Sequence, residues 1–189
     1  MEYREIAPAD LPELVKIFAE TFNSEPWFEK WTEKTAGKRL SHYLSNESCV
    51  GIVAEDGGEI VGMLIGEEEQ YYDGIVCAIK EFCVKNSLRG RGIGSAMVRE
   101  FERREMARGV RSISFYTTEE DEHFYAKNGY TTALYTDYSP ILQFHYVAAP
   151  LPGDINGDGE VNVSDVTALI NKILGSSTYS DAVCDINGD

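Results

Sequence analysis

The stretch Arg89-Gly90-Arg91-Gly92-Ile93-Gly94 lies between residues 79–84, an apolar run typical of a strand, and residues 93–108, whose pattern is typical of a helix. Glycines at such a turn let the backbone approach a ligand closely. The first amides of a helix have no partner inside it, and the helix dipole adds partial positive charge at that end. Together with the two arginines, the stretch predicts a site for a phosphate-bearing ligand.

Two other kinds of glycine-rich loop fit this stretch poorly. The phosphate loop of nucleotide hydrolases requires Gly-Lys-Ser/Thr, which does not follow here. A dinucleotide site requires glycines in the order G-x-G-x-x-G and an acidic residue about 20 positions later. The spacing here is Arg-x-x-Gly-x-Gly, and the strand-like run at residues 112–117 carries no acid. A plain turn with basic residues remains the alternative for the stretch alone.

The chain is strongly acidic, with 189 residues and a formal net charge of −15 at pH 7. This charge argues against nucleic acid or an anionic membrane as a partner and suits a cationic substrate, although acidity also simply favours solubility. No apolar run approaches the roughly 20 residues that span a bilayer, and the charged N-terminus does not resemble a signal peptide, so we expect a cytoplasmic protein. Cys49, Cys77, Cys83 and Cys184 lack the spacing of a metal site or a disulfide framework.

The order of hydrophobic patterns along the chain predicts an α/β (α+β) domain with a mixed central sheet flanked by helices. Strands are expected at residues 2–6, 49–54, 60–66, 71–84, 111–117, 130–138 and 141–147. Helices are expected at residues 8–22, 32–44, 93–108 and 119–128. Residues 148–153 are expected to be a short Pro-rich linker, and residues 154–189 a separate acidic module.

Residues 1–147 resemble the GNAT family of N-acetyltransferases in three local motifs and in the order of their elements. Arg89, Gly92 and Gly94 match the cofactor motif of the family, which follows a strand and opens a helix. The preceding run Glu81-Phe82-Cys83-Val84 matches the strand that lines both substrates, and residues 123–130, HFYAKNGY, match a later family signature. The resemblance implies a mostly antiparallel central sheet and an enzyme that transfers an acetyl group.

The resemblance also implies how acetyl-CoA would bind. Its pyrophosphate is expected on the turn and helix start, and its pantetheine arm beside the preceding strand, pairing with strand backbone. A backbone amide, here that of Val84, is expected to polarise the thioester oxygen. The cofactor-binding residues implied in this way are Phe82, Cys83, Val84, Arg89, Gly90, Arg91, Gly92, Ile93, Gly94 and Ser95.

Two residues are the candidates for proton transfer. Glu81 matches a position where the family often has Glu, and an amine acceptor must lose a proton before it attacks the thioester directly. Glu81 is therefore a candidate base, acting directly or through water; the alternatives are an anchor for a cationic acceptor or a solvent-facing strand residue. Tyr125 matches the tyrosine that protonates the leaving thiolate, and a packed core residue is its alternative. His123 lies two positions away on the helix and is expected to be structural.

The acceptor side is less defined by the sequence. Glu25, Trp27 and Trp31 lie between the first two helices and could hold a cation through charge and cation–π contact, or the tryptophans could belong to the core. Residues 67–69, all Glu, and Asp73 either add negative charge near the acceptor or form a solvated turn. The pattern resembles acetylators of small amines, including aminoglycoside-type enzymes. The alternatives are a protein or peptide acetylator and a catalytically idle CoA-fold domain. In either case the chain is expected to be a monomer or a homodimer, as it is for the small-amine acetylator.

Residues 154–165 fit a 12-residue calcium loop. Its expected ligands are Asp154, Asn156, Asp158, the carbonyl of Glu160, Asn162 and Asp165. The loop ends in Asp, where an EF-hand has Glu, and an apolar helix follows it. Both features resemble a dockerin, and this resemblance implies a cohesin domain as partner. Residues 185–189 repeat the first five residues of the loop and then stop, so the second repeat is expected to be truncated and cohesin binding doubtful. An acidic, partly disordered tail is the alternative, and a dockerin-like tail conflicts with a cytoplasmic location.

Overall fold

A computed structural model describes residues 1–117, 119–134, 141–146, 153, 155–156 and 161–175 of the chain. The strands of this part are β1 (Glu2–Glu5), β2 (Cys49–Asp56), β3 (Glu59–Tyr71), β4 (Gly74–Val84), β5 (Val110–Thr117), β6 (Thr131–Leu134) and β7 (Ile141–Tyr146). The helices are α1 (Leu11–Phe22), α2 (Glu33–Leu44), α3 (Ile93–Ala107), α4 (Glu119–Ala126) and α5 (Val163–Ile173). The order of elements expected for residues 1–147 is confirmed.

The described strands form one seven-stranded sheet in the order β1-β2-β3-β4-β5-β7-β6. Every neighbouring pair is antiparallel except β4 and β5, which run parallel. Parallel neighbours need a crossover, and α3 supplies it between β4 and β5. The expected mixed and mostly antiparallel sheet is confirmed, and the glycine-rich turn lies between the end of β4 and the start of α3.

Helices cover both faces of the sheet because both faces of the central strands are apolar. On one face α1 and α2 bury Leu14, Phe18 and Leu40 against β2 and β3. On the other face α3 buries Met97 and Phe101 against the same strands and β5. Each fully buried side chain of this size contributes about 1.5–3 kcal/mol, so the two layers together hold the central strands in place.

The long hairpin of β3 and β4 differs from the sequence expectation. The strand expected at residues 60–66 runs on to Tyr71, and the one expected at residues 71–84 begins at Gly74. The three glutamates at residues 67–69 therefore lie within β3 and do not form a turn. Glutamate is depleted in strands, but here the ladder to β4 continues through these residues, and the side chain of Glu69 is exposed.

A β-bulge at Lys80 changes which way the side chains of β4 point. Ile65 pairs with Glu81 and Gly66 with Ile79, so Lys80 is the extra residue. Before the bulge, Ile79 belongs to the core layer under α3. After the bulge Glu81 points away from α3 and towards α2, where it meets Arg39. The bulge therefore puts Glu81 on the α2 face of the sheet.

Little of the C-terminal module is described by the structure. The helix expected after the calcium loop is present as α5, with the Asn162 side chain as its N-cap. Asp154, Asp158 and Glu160, most of the linker, and the repeat at residues 185–189 lie outside the described residues. Within the described part of the chain, no helix is both long and apolar enough to cross a membrane.

Candidate active site

The turn between β4 and α3 has the backbone that the glycines predict. Gly90 and Gly92 have φ angles of 74° and 82°, in the left-handed region that a side chain would strain. Gly92 is the N-cap of α3, and the Gly92 carbonyl accepts the first helical bond from the Ala96 amide at 3.0 Å. The earlier amides of α3 have no carbonyl within the helix to bind, so they are available to an anion at this end.

A cavity of about 300 Å³ opens beside this turn, between the end of β4 and α4. Its walls include expected cofactor residues, namely Phe82, Cys83, Val84, Arg89, Gly90, Gly92, Ile93, Gly94 and Ser95. Arg91 is exposed and is absent from that lining. Tyr125 and Trp27 line the same cavity, so the structure brings the candidate acid and the glycine-rich turn together.

Some lining residues were missed by sequence reasoning. Asp121, Phe124 and Lys127 from the α4 region line the cavity together with Pro26 and Leu88. Phe124 and Lys127 belong to the family signature at residues 123–130, which could have marked them, and the Lys127 ammonium lies 5.3 Å from the Phe124 ring centre. Lys127 adds a cation near the turn, which suits a ligand that carries phosphate.

Gly94 lets the start of α3 lie directly against two aromatic rings. A Cβ atom at Gly94 would lie 3.3 Å from the Phe124 ring and 3.4 Å from the Phe82 ring. The two rings are themselves 5.8 Å apart, centre to centre. Any larger residue at this position would push the helix away from β4 and change the shape of the cavity.

Strands β4 and β5 pair only over their first residues and then separate. The parallel ladder joins Ile75–Ala78 to residues 110–114, after which β5 continues along β7. The later part of β4 therefore has no strand partner on this edge among the described residues, and residues 82–84 of this part line the cavity. The Lys85 amide donates to the Val61 carbonyl of β3 at 2.9 Å, so the Val84 amide points the opposite way, towards that edge. This orientation agrees with the role expected for the Val84 amide.

Tyr125 is packed within a cluster of aromatic rings. Its ring centre lies 4.0 Å from that of Phe115, 5.0 Å from Phe124 and 5.9 Å from Tyr130. Burial raises the pKa of Tyr125 well above its usual value, and the Asp121 carboxylate on the preceding turn adds to this effect. The phenol is therefore protonated at neutral pH and can donate its proton, so core packing and the role of acid are compatible.

Glu81 does not line the cavity and lies on the α2 face of the sheet, which it shares with Cys83. Only 5% of its side chain is exposed, and its carboxylate accepts a hydrogen bond from Arg39 Nε on α2. Burial raises the pKa of Glu81 to about 7, although the Arg39 guanidinium opposes this rise. Glu81 is thus buried and paired rather than solvent-facing, and it titrates in the range that suits a general base.

The residues expected to hold the acceptor do not converge on one point. The Trp27 ring faces the Arg89 guanidinium at 4.7 Å, and the Trp31 ring faces that of Arg39 at 5.6 Å. Glu25 is exposed, and its backbone carbonyl accepts a long hydrogen bond of 3.4 Å from Arg89. Both indoles therefore contact arginines of the chain itself, one on the cavity side and one on the Glu81 side.

A second cavity, of about 420 Å³, lies along the first half of β4 and has an acidic lining. Its lining includes Ser48, Glu67, Glu68, Glu69, Val76, Ala78, Lys80, Ser112 and Ser114. Val76 and Ala78 alternate with residues that pack under α3, so their side chains share the face of Glu81. Lys80 pairs with Glu67 at 3.2 Å, which leaves the cavity with more carboxylates than cations.

The described part of the C-terminal module is organised around Asp165. Its Oδ1 accepts the amides of Ile155 at 2.8 Å and Asn156 at 3.2 Å, and its Oδ2 accepts that of Asn162 at 2.8 Å. These hydrogen bonds lower the pKa of Asp165. Asp165 thus ties both ends of the loop together, and among the described residues no group of three or more acidic, His or Cys side chains is arranged to hold a metal.

The fold places a glycine-rich turn and a cavity at the end of a strand that has separated from its parallel neighbour. A family model described as the acetyltransferase (GNAT) family matches residues 11–130. The chain therefore belongs to the GNAT acetyltransferase family, and the expectation of an acetyltransferase is confirmed. A second model, the dockerin type I domain, matches residues 152–189, which confirms the resemblance seen in the calcium-loop sequence.

Several solved structures share this fold at low sequence identity. An aminoglycoside 6′-N-acetyltransferase complexed with coenzyme A is 18% identical with a TM-score of 0.65, over 78% of this chain and 97% of that chain. The paia N-acetyltransferase from Thermoplasma acidophilum in complex with coenzyme A is 17% identical with a TM-score of 0.61, over 77% and 99%. The ribosomal-protein-S18-alanine N-acetyltransferase from Escherichia coli is 16% identical with a TM-score of 0.60, over 78% and 94%.

Proposed function

We propose that this chain transfers the acetyl group of acetyl-CoA to an amine of a small cationic molecule, such as an aminoglycoside- or polyamine-like compound. The observation that carries this proposal is the arrangement of groups around β4. The donor cavity lies at the free edge of the strand, and Glu81 with the acidic cavity lies on its α2 face. Donor and acceptor can then meet at β4 in one ternary complex.

The donor cavity suits acetyl-CoA in chemistry as well as in shape. The amides at the start of α3, with Arg89 and Lys127 nearby, match a pyrophosphate. Phe82 and Phe124 offer apolar walls to a pantetheine arm, whose amides can pair with the free edge of β4. The Val84 amide points to this edge and would stabilise negative charge that develops on the thioester oxygen.

The proton transfers can be assigned to two residues. Acetyl-CoA supplies an activated acyl group as a thioester. Glu81 accepts, directly or through a water, the proton that the acceptor ammonium group must lose, because an amine with a pKa near 10 is mostly protonated at neutral pH. One C–N bond forms and one C–S bond breaks, the nitrogen loses its second proton to solvent, and the Tyr125 hydroxyl donates a proton to the departing sulfur. Both residues return to their starting state through solvent.

The acceptor is proposed to be cationic because of the charge on its side of the sheet. Glu67 and Glu69 line the cavity that shares the face of Glu81, and the chain as a whole carries a net charge of −15. A molecule with several amino groups could place one near Glu81 and the others against these carboxylates. Trp27, Trp31 and Glu25 lie in the loop between α1 and α2 and would border the path by which the acceptor reaches Glu81.

The C-terminal module is proposed to bind Ca²⁺ and, when a complete second repeat accompanies it, to attach the enzyme to a cohesin domain. The match of residues 152–189 to the dockerin model supports this proposal, as does the loop that Asp165 closes. The proposed ligands are Asp154, Asn156, Asp158, the Glu160 carbonyl, Asn162 and Asp165. Oxygen ligands of this kind are those that Ca²⁺ prefers.

An acceptor screen tests the enzymatic proposal. The full chain is incubated with acetyl-CoA and a panel of aminoglycosides, polyamines, amino acids and N-terminal peptides, and the released thiol is measured. We expect turnover with the polycationic amines, and a loss of about 100-fold or more in Glu81→Gln. Glu47→Gln, which removes an exposed carboxylate in a turn, should retain full activity. Turnover confined to the peptides would overturn the proposed acceptor class.

A further inference from the structure

Arg39 on α2 is the cation that meets the buried carboxylate of Glu81. Its Nε–H donates to Glu81 Oε1, and the two residues are 42 positions apart in the chain. The side chain of Arg39 is 42% exposed and that of Glu81 only 5%. The pair therefore joins a solvent-facing guanidinium to a carboxylate that has lost nearly all its contact with water.

Aromatic side chains hold the Arg39 guanidinium in this position. Its central carbon lies 5.6 Å from the Trp31 ring centre and 5.7 Å from that of Tyr43, within the range of a cation–π contact. The Trp31 ring packs edge-on against Phe18 at 4.9 Å. The Asn23 side chain accepts from the Trp31 amide at 2.6 Å and donates to its carbonyl at 2.8 Å. The loop between α1 and α2 thus fixes the ring on which Arg39 rests.

We propose that Arg39 is a positioning residue for the reaction, holding the Glu81 carboxylate negatively charged and oriented on the acceptor face of the sheet. This inference rests on the proposed function, in which Glu81 accepts a proton. A carboxyl group that is buried without a cation takes up a proton and becomes neutral. A neutral Glu81 could not accept the proton of an acceptor ammonium group.

The other groups near Glu81 do not replace Arg39. The titratable groups around it are Tyr43 on α2, Glu29 in the loop, and Lys80 and Cys83 on β4. Glu29 is itself negative and raises the pKa of Glu81 further. Lys80 is paired with Glu67 at 3.2 Å. Burial raises the pKa of the Cys83 thiol to about 12, so this group stays neutral. Burial and Glu29 both raise the pKa of Glu81, and without Arg39 no contacting cation would oppose this rise.

A titration of Glu81 tests the proposal without any need for turnover. The side-chain carboxyl groups of glutamate are labelled with ¹³C in the full chain, and the Glu81 signal is assigned by its loss in Glu81→Gln. We expect the midpoint of Glu81 to rise by about one pH unit or more in Arg39→Gln. Arg39→Lys keeps the positive charge but lacks the planar guanidinium, so the Glu81 midpoint in this variant should lie between those of the wild type and Arg39→Gln. Lys38→Gln removes a charge from an exposed position on the same helix and should leave the midpoint unchanged.

The pH dependence of kcat/KM then tests whether this ionisation serves catalysis. Glu81 must be ionised to act, so the rate rises with pH through its pKa, and the rising limb should move to higher pH in Arg39→Gln. Near neutral pH this variant should lose about 10-fold or more in rate, and much of the loss should disappear at pH 9. Arg39→Lys should recover part of the loss.

The outcomes separate this proposal from the proposed function. An unchanged Glu81 midpoint in Arg39→Gln overturns the inference. A loss of rate that is equal at every pH also overturns it, because Arg39 would then support only the fold. A shifted midpoint in a protein that acetylates no amine supports the electrostatic role of Arg39 and contradicts the proposed function.

Discussion

Tyr125 shows how one side chain can be packed and still be available for chemistry. Its ring is held at 4.0 Å from Phe115, while the residue also lines the donor cavity. We predict that Tyr125→Phe lowers kcat by about 100-fold, because a general acid is lost, and leaves the affinity for CoA nearly unchanged. Thiol release gives kcat and calorimetry gives the affinity. An unchanged kcat would remove Tyr125 from the mechanism, since phenylalanine preserves the packing.

Glu105 is a buried acid that the proposed reaction does not use. It lies on α3, and only 2% of its surface is exposed because α3 packs against the sheet. Burial and the neighbouring Glu68 carboxylate raise the pKa of Glu105, and Arg108 only partly opposes this. The folded state therefore favours the protonated acid. This stabilisation is complete at pH values below the ordinary pKa near 4.5 and is lost as the pH rises through the raised value.

Glu105→Gln should make the protein more stable at alkaline pH. We predict a free energy of unfolding about 1–3 kcal/mol above that of the wild type at pH 9, and a difference that shrinks towards pH 4.5. Urea denaturation at several pH values measures this difference. Glu47→Gln serves as the exposed control and should differ little at any pH. A pH-independent difference for Glu105→Gln would contradict the raised pKa.

At the scale of elements, the turn between β4 and α3 is predicted to bind CoA through its left-handed backbone. Gly92 and Gly58 have nearly equal φ angles of 82° and 84°, and a Cβ atom at either would meet nothing within 4 Å. Alanine at either position should therefore cost about 1–2 kcal/mol of stability through the same backbone strain. Gly92→Ala should also weaken CoA binding several-fold, whereas Gly58→Ala, in the β2–β3 turn, should not.

Calorimetry with CoA and thermal denaturation of both variants measure these two effects. We expect both variants to lose similar stability and only Gly92→Ala to lose affinity for CoA. Equal CoA affinities in the two variants would show that the conformation of Gly92 does not shape the donor site.

The elements themselves were largely predictable from local patterns. The order of strands and helices was correct, and so was the hairpin of β2 and β3, because alternation and turn residues act over a few positions. The extension of β3 to Tyr71 was missed, since a run of glutamates resembles a turn unless its pairing with β4 is known. The bulge at Lys80 was missed for the same reason, because it exists only in the register between two strands.

At the scale of the whole molecule, the calcium loop offers a prediction for the second module. Asp158→Ala in the full chain should abolish Ca²⁺ binding measured by calorimetry, because a carboxylate ligand in the middle of the loop is lost. Acetyl transfer should be unaffected if the two modules work separately. Asp56→Ala, in the β2–β3 hairpin, is the control and should bind Ca²⁺ normally. Retained binding in Asp158→Ala would contradict the assigned loop.

Short-range patterns were enough to predict the family, the order of the elements, the glycine-rich turn before α3 and the resemblance of the tail to a dockerin. Each of these depends on residues that are close together in the chain. The chemical setting of Glu81 depends instead on a bulge, on burial beneath α2 and on a cation 42 positions away. The pKa of a carboxyl group is set by its solvation and its neighbours in space, so only the folded chain decided that Glu81 is buried, paired with Arg39 and turned towards the acidic side of the sheet.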